Sequence, residues 1–195
     1  MNKQVMGLFP QPIARYVLWA KTWQTQLDQV TVEYHGNHSY SVSDQVLDDF
    51  PELKRVLEQE VNDFALDVMG ISDELRITQS WINVYKQGDS IHQHNHPNSI
   101  VSGTWYWSTP DTDILFHKHG LNSNTTWTMK LDQRVTDSRP FAVEINSIRV
   151  SENDVVLWPS YLQHSVPEHR DSQPRKTLSF NAMPKTWGSG LYRAF

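Results

Sequence analysis

The 195-residue chain contains no cysteine. That excludes disulfides, thiolate metal sites and cysteine nucleophiles, and leaves His, Asp and Glu as the side chains able to hold a metal ion. Long apolar runs are missing as well: nowhere do about 18 apolar residues follow one another, so no membrane-spanning helix is expected. Residues 1–20 lack the basic and continuous apolar regions of a signal peptide, which makes a cytoplasmic protein the expectation. Nor is there an excess of positive charge. Lys and Arg number 17 against 22 Asp and Glu, the net charge is −5, and no basic stripe is present that would track a phosphate backbone, so nucleic acid is not an expected partner. Aromatic residues, in contrast, are plentiful. Eight Trp, seven Tyr and seven Phe favour β-rich packing, and the length fits one domain spanning residues 1–195.

Leu53, Val56, Leu57, Val61, Phe64, Ala65 and Val68 recur at helical spacing, which predicts an amphipathic helix that Gly70 closes. A weaker helical stretch is expected between residues 12 and 29, with an extended piece over 30–34. From Leu75 onward the pattern turns to strands, predicted over 76–85, 100–108, 114–118, 141–150, 155–158 and 176–182 and separated by Pro, Gly, Asn and Asp clusters. A helical N-terminal part, about 1–72, therefore precedes a β core over about 75–184. The polar segment 119–140 reads as a long insertion or hairpin over one mouth of a barrel.

The most informative feature is His92-Gln93-His94-Asn95-His96-Pro97, three of the chain's nine histidines within five residues. On an extended strand alternate side chains share a face, so His94 and His96 project together with Cα atoms roughly 6.6 to 7 Å apart. Two imidazoles at that spacing can lean onto one ion through bonds of about 2.0 to 2.1 Å. His92 would extend the same row. The best candidate for a third ligand is His164, after the short apolar strand Val155-Val156-Leu157-Trp158. Such a face of three protein ligands leaves positions of an octahedral ion open to dioxygen and a chelating cosubstrate. Taken alone, the cluster is equally compatible with a solvated polar strand. His35, His38, His117, His119 and His169 lack the spacing and are read as surface or loop residues.

Eleven positions after His164, Arg175-Lys176-Thr177-Leu178-Ser179-Phe180-Asn181 alternates as a strand does, with Arg175, Thr177 and Ser179 on one face. If that face looks inward, Arg175 presents a charged fork suited to a carboxylate, and Thr177 adds a hydroxyl. Asn83, Trp105, Tyr106 and Trp107 are equally candidates for pocket lining and for plain core.

Taken in order, Trp81-x-Asn83, Gly88, His94-x-His96-Pro97, Ser102-Gly103-x-Trp105-Tyr106, Trp158-Pro159-Ser160-x-Leu162-x-His164-x-Val166 and Arg175-x-Thr177-x-Ser179-Phe180-Asn181 resemble a known group. It is the 2-oxoglutarate/Fe(II)-dependent oxygenases common in bacteria and tailed phages, relatives of the prolyl hydroxylases. The likeness spans about residues 75–184, with Leu8-Phe9-Pro10 resembling that group's opening. It implies a double-stranded β-helix (jelly-roll) fold, Fe(II) as metal and 2-oxoglutarate as cosubstrate. It further implies His94, His96 and His164 as iron ligands and catalytic centre, Arg175 on the distal carboxylate of 2-oxoglutarate with Thr177 assisting, and hydroxylation of a small-molecule or peptidyl substrate, a peptidyl proline by analogy. The wider superfamily usually has His-x-Asp or His-x-Glu where this chain has His94-x-His96, so the resemblance leaves open whether His92 replaces one of the pair or a carboxylate completes the site. Two other readings fit parts of the pattern. One is a cupin-like metalloenzyme that does not use 2-oxoglutarate, and the other is a non-catalytic jelly-roll protein holding a structural ion.

Overall fold

A computed structural model describes residues 10–118 and 143–186. The 119–140 segment with His119, the start of the strand predicted at 141, and Leu8-Phe9 lie outside the described residues.

In chain order the elements are β1 (Ala14–Val17), α1 (Lys21–Leu27), β2 (Val32–Tyr34), β3 (Ser39–Ser41), a 3-10 turn (Val46–Asp49) and α2 (Pro51–Asp63), which runs on as a π turn (Phe64–Val68). There follow β4 (Leu75–Tyr85), β5 (Ile91–His94), β6 (Val101–Ser108), β7 (Thr112–His117), β8 (Ile145–Val150), β9 (Asp154–Pro159), β10 (His164–Val166) and β11 (Arg175–Pro184). Among the described residues these strands form a seven-stranded sheet, ordered β1-β9-β6-β11-β4-β3-β2, and a four-stranded sheet, ordered β5-β10-β7-β8. All the strand pairs within them are antiparallel. The fold is a double-stranded β-helix, the expected class.

Pro51 opens α2, where its missing N–H costs nothing, and Leu53, Leu57, Val61, Phe64 and Ala65 turn inward. Val68, expected on the same face, is 55% exposed. The π turn adds a residue to the last turn and slips the helical phase before Gly70, at φ +70°, reverses the chain. In the 12–29 region only Lys21–Leu27 is helical. Ala14–Val17 instead pairs with β9 (Ala14 opposite Leu157), so tertiary pairing wins over a weak helical preference, and the N-terminal part supplies three strands to the large sheet.

The two faces of the large sheet carry different chemistry. Ile82, Val101, Trp105, Trp107, Val155, Leu157, Leu178 and Phe180 form one cluster with Leu27 and the buried face of α2. Their alternates, Asn83, Ser102, Thr104, Tyr106, Arg175, Thr177, Ser179 and Asn181, are buried and mostly polar. A second cluster of Tyr106, Ile114, Phe116, Val150, Val156 and Trp158 joins the two sheets. Trp105 and Trp107 are therefore core residues, whereas Tyr106 and Asn83 face the interior between the sheets. A bulge at Asn181/Ala182 switches β4's parity, which lets Leu75 and Ile77 rejoin the helix-side core.

Gly103 lies where strands and core approach closest. A Cβ there would collide with the Phe180 ring and sit 2.6 Å from Leu157 Cδ2. Gly103→Ala is expected to destabilise the protein by about 1–3 kcal/mol through overpacking, read as a lowered denaturation midpoint with an unchanged m value.

Candidate metal centre

His94 is the last residue of β5 and stands directly opposite His164, the first residue of β10. Their ring centroids are 4.3 Å apart. His96 lies two residues past the end of β5, where its backbone N–H donates to Ser160 O at 3.1 Å. Its ring centroid is 5.2 Å from that of His94 and 5.0 Å from that of His164. One ring nitrogen from each of the three falls within 4.8 Å of the others. Small ring rotations bring such a set onto one ion at bond lengths of about 2.1 Å.

Two of the rings are held from behind. His94 Nδ1 lies 2.8 Å from His92 O, and His164 Nδ1 lies 2.9 Å from Leu162 O. A protonated Nδ1 donating to a carbonyl leaves Nε2 as the free lone pair, the arrangement a metal-binding imidazole needs. Burial, reinforced by the neighbouring His94, pushes His96 down to about 4 and His164 down to about 3. Burial also lowers His94, opposed by its bond to His92 O. These rings are thus neutral at neutral pH and ready as ligands without first losing a proton.

The side chain of His92 is exposed and stays outside the cluster; only its carbonyl takes part. Among the described residues the other histidines lie outside this group, and His38 and His169 sit in loops, as read, although both are buried. His169 bonds Gln173 O through Nε2, and its backbone clasps Gly88 and Asp89. His38 stacks nearly parallel on Tyr85. His117 pairs with Ser165 Oγ, and His35 stacks on Tyr40.

The three rings border a cavity of about 60 Å³ whose far wall includes Arg175, Thr177, Tyr85 and Tyr106. Arg175 is 1% exposed, forms no ion pair among the described residues, and has its Nε and Nη1 without hydrogen-bond partners. Its guanidinium sits between the Tyr85 and Tyr106 rings, 5.1 Å from each centroid. Burial pushes both phenols up against the pull of that cation, so they remain neutral hydroxyls. A buried cation held by ring faces and a hydrogen bond to the Tyr106 hydroxyl, with no counter-charge, is costly unless an anion joins it. Thr177 and Ser179 are tied to Asn83 Nδ2 at 3.4 and 3.1 Å, which fixes the polar floor of the cavity.

The cavity therefore offers a nitrogen face for one metal ion and, opposite it, an unpaired fork for a carboxylate. The family model described as "Putative 2OG-Fe(II) oxygenase" matches residues 79–181, a stretch that contains every one of these groups. The chain belongs to this family. It is a 2-oxoglutarate- and iron(II)-dependent oxygenase. No curated protein is significantly similar to it in sequence.

Solved structures share the oxygenase fold at low identity. HygX from Streptomyces hygroscopicus, solved with nickel and 2-oxoglutarate, is 12% identical with a TM-score of 0.62, covering 90% of this chain and 84% of its own. The non-heme α-ketoglutarate-dependent epimerase SnoN from nogalamycin biosynthesis is 13% identical with a TM-score of 0.63, covering 90% and 79%. A 2OG-Fe(II) oxygenase family oxidoreductase from Burkholderia pseudomallei is 13% identical with a TM-score of 0.60, covering 83% and 76%.

Sequence reasoning passes over several residues of the oxygenase site. Tyr85 continues the alternation Trp81, Asn83, Tyr85 and falls opposite Arg175 in register, so period-2 counting is the signal that could find it. Trp158, counted only as part of an apolar strand, lines the cavity and meets the His164 ring edge-on at 4.9 Å. The grip of Ser160 on His96 is a backbone contact between distant segments, and no sequence signal announces it.

Proposed function

We propose that His94, His96 and His164 hold the iron(II), that Arg175 receives the distal carboxylate of 2-oxoglutarate with Thr177 beside it, and that the enzyme hydroxylates a small molecule. The observation that carries this reading is Arg175: a buried guanidinium with two unpaired nitrogens in the same cavity as three neutral imidazoles. When bound, iron and 2-oxoglutarate would supply the oxidising chemistry, one oxygen atom of O₂ going to succinate with release of CO₂ and the other into a substrate C–H bond.

The chain's own residues do the remaining work. Arg175 supplies charge and a bidentate geometry, so the cosubstrate enters in one orientation. The Tyr85 and Tyr106 rings hold the guanidinium plane in place. Ile91, Ile114, Val166 and Trp158 make the cavity walls apolar, which excludes water and strengthens the charge pairing within. The carbonyls of His92 and Leu162 keep two imidazoles in the metal-binding tautomer. Three neutral ligands leave the full +2 charge of the ion to be balanced by the incoming dianion, so metal and cosubstrate should bind with strong mutual dependence.

A small-molecule substrate draws support from HygX solved with hygromycin B bound and SnoN solved with nogalamycin RO, both on the same fold. Anaerobic addition of 2-oxoglutarate to the iron(II)-loaded protein tests the core of the proposal. The weak visible charge-transfer band of an iron-bound keto acid is expected. Iron retained without that band would exclude chelation and favour the cupin-like reading.

A further inference from the structure

Among the described residues the large sheet has seven strands to the small sheet's four, with β4 and β3 towards one side of the large sheet and Ile91 of β5, the small sheet's edge strand, beside them. A second cavity of about 460 Å³ opens on this strip, within the range of small-molecule sites. Trp81, Asn83 and Ile91 line both it and the metal cavity, so the two are contiguous. Trp81 is the hinge between them, with its ring 5.6 Å from that of His96.

The lining of this groove is selective. Trp81 and Tyr40 supply aromatic faces, and Tyr40 is held in plane by a parallel stack on His35 at 3.7 Å. Gln79 uses its Oε1 to accept from Asn181, which leaves its amide N–H₂ without a partner among the described residues. Among the described residues Asp44 carries a carboxylate with no ion-pair partner, and neither lysine nor arginine lines the groove. His38 is turned to other work, stacked on Tyr85 with Nδ1 against Asn37 Oδ1.

We propose that this groove binds a saturated ring bearing an ammonium group, of the amino-sugar or aminocyclitol class, and presents one of its C–H bonds to the metal cavity through the Trp81 gap. The inference rests on the function proposed above. Flat aromatic faces match the C–H face of a saturated ring, and a carboxylate without an ion-pair partner in a groove that two aromatic rings also line attracts a cation, to which the ring quadrupoles add. With no lysine or arginine among the groove's described lining residues, carboxylates and phosphates would find no permanent counter-charge there. Hydroxyl groups on such a ring would use the spare Gln79 amide.

The test is titration calorimetry on the full chain loaded with zinc and 2-oxoglutarate, with glucosamine as probe beside methyl glucoside, cyclohexanecarboxylate and N-acetylprolinamide. Glucosamine is expected to bind about fivefold or more tightly than methyl glucoside, the size of one exposed cation contact, and cyclohexanecarboxylate not to bind. Asp44→Asn, a change on an exposed residue, should erase the glucosamine advantage, and Trp81→Phe should weaken both ring ligands. No glucosamine binding, equal affinity for the uncharged glycoside, preference for N-acetylprolinamide, or indifference to Asp44→Asn would each overturn the proposal. The iron and 2-oxoglutarate band reports separately on the metal cavity. Its presence without glucosamine binding sinks the groove alone, whereas its absence sinks the cosubstrate assignment and leaves the calorimetry to judge the groove.

Discussion

Arg175→Ala is expected to weaken 2-oxoglutarate binding by about 2–5 kcal/mol, roughly 30-fold to several thousandfold, because a charged pair in a water-poor cavity loses one partner. The wild-type guanidinium is 1% exposed and has Nε and Nη1 unpaired, so its environment suits an anion that the described residues do not provide. The alanine variant leaves the dicarboxylate with no counter-charge. Arg175→Lys retains a charge but not the planar fork between Tyr85 and Tyr106, and should fall between the two. Anaerobic calorimetry on the metal-loaded protein measures the effect. An affinity within threefold of wild type in a folded Arg175→Ala protein would remove Arg175 from the cosubstrate site. Iron binding, measured separately, should survive in that variant, since none of the three imidazoles depends on the guanidinium for a hydrogen bond among the described residues.

His164→Ala is expected to lower metal affinity by at least about 100-fold, more than the loss of a supporting hydrogen bond usually costs, and to abolish turnover. His164 is 4% exposed, is the most deeply buried of the three candidate ligands, and lies opposite His94 in the β5–β10 register. Without it the two remaining imidazoles come from one short segment and cannot form a three-point face. His164→Gln, which keeps most of the volume against Trp158, separates loss of a ligand from loss of packing. Both variants should bind little iron, as read by metal analysis after desalting. His92→Ala provides the contrast, with metal content unchanged within about twofold, because only the backbone carbonyl of His92 meets His94. Iron lost in His92→Ala and kept in His164→Ala would reverse the ligand assignment.

Much of this site is legible in the amino-acid sequence. The alternation Arg175, Thr177, Ser179 shows because a strand's period of two is written directly into the chain, and His94 and His96 show as a close pair although β5 ends at His94, with His164 standing after an apolar strand. The long helix is legible for the same reason, up to the π turn that carries Val68 out to solvent. What is not legible depends on pairing between distant segments. Ala14–Val17 has a weakly helical pattern and becomes a strand because β9 offers it a partner. Asn83, Trp105, Tyr106 and Trp107 are indistinguishable in sequence as core or lining. The sheet sorts them by face, sending the two tryptophans to the helices and Asn83 and Tyr106 to the cavity. His38 and His169 carry no signal of burial, since the distant segments they pack against, Tyr85 for His38 and the Gly88–Asp89 backbone for His169, are brought to them only by the fold.

By itself, then, the sequence determined the residue types and their local faces: no thiolate, three imidazoles in two segments, an arginine on an alternating strand, and with them the family. The tertiary structure decided which of these groups share one cavity. It set His94 opposite His164, left the His92 side chain outside, buried Arg175 without a counter-charge among the described residues, and opened the strip of sheet beside Trp81. These outcomes depend on strand register and on how the described strands divide between the two sheets, which arise from many weak pairings between distant parts of the chain and are encoded in no single stretch of it.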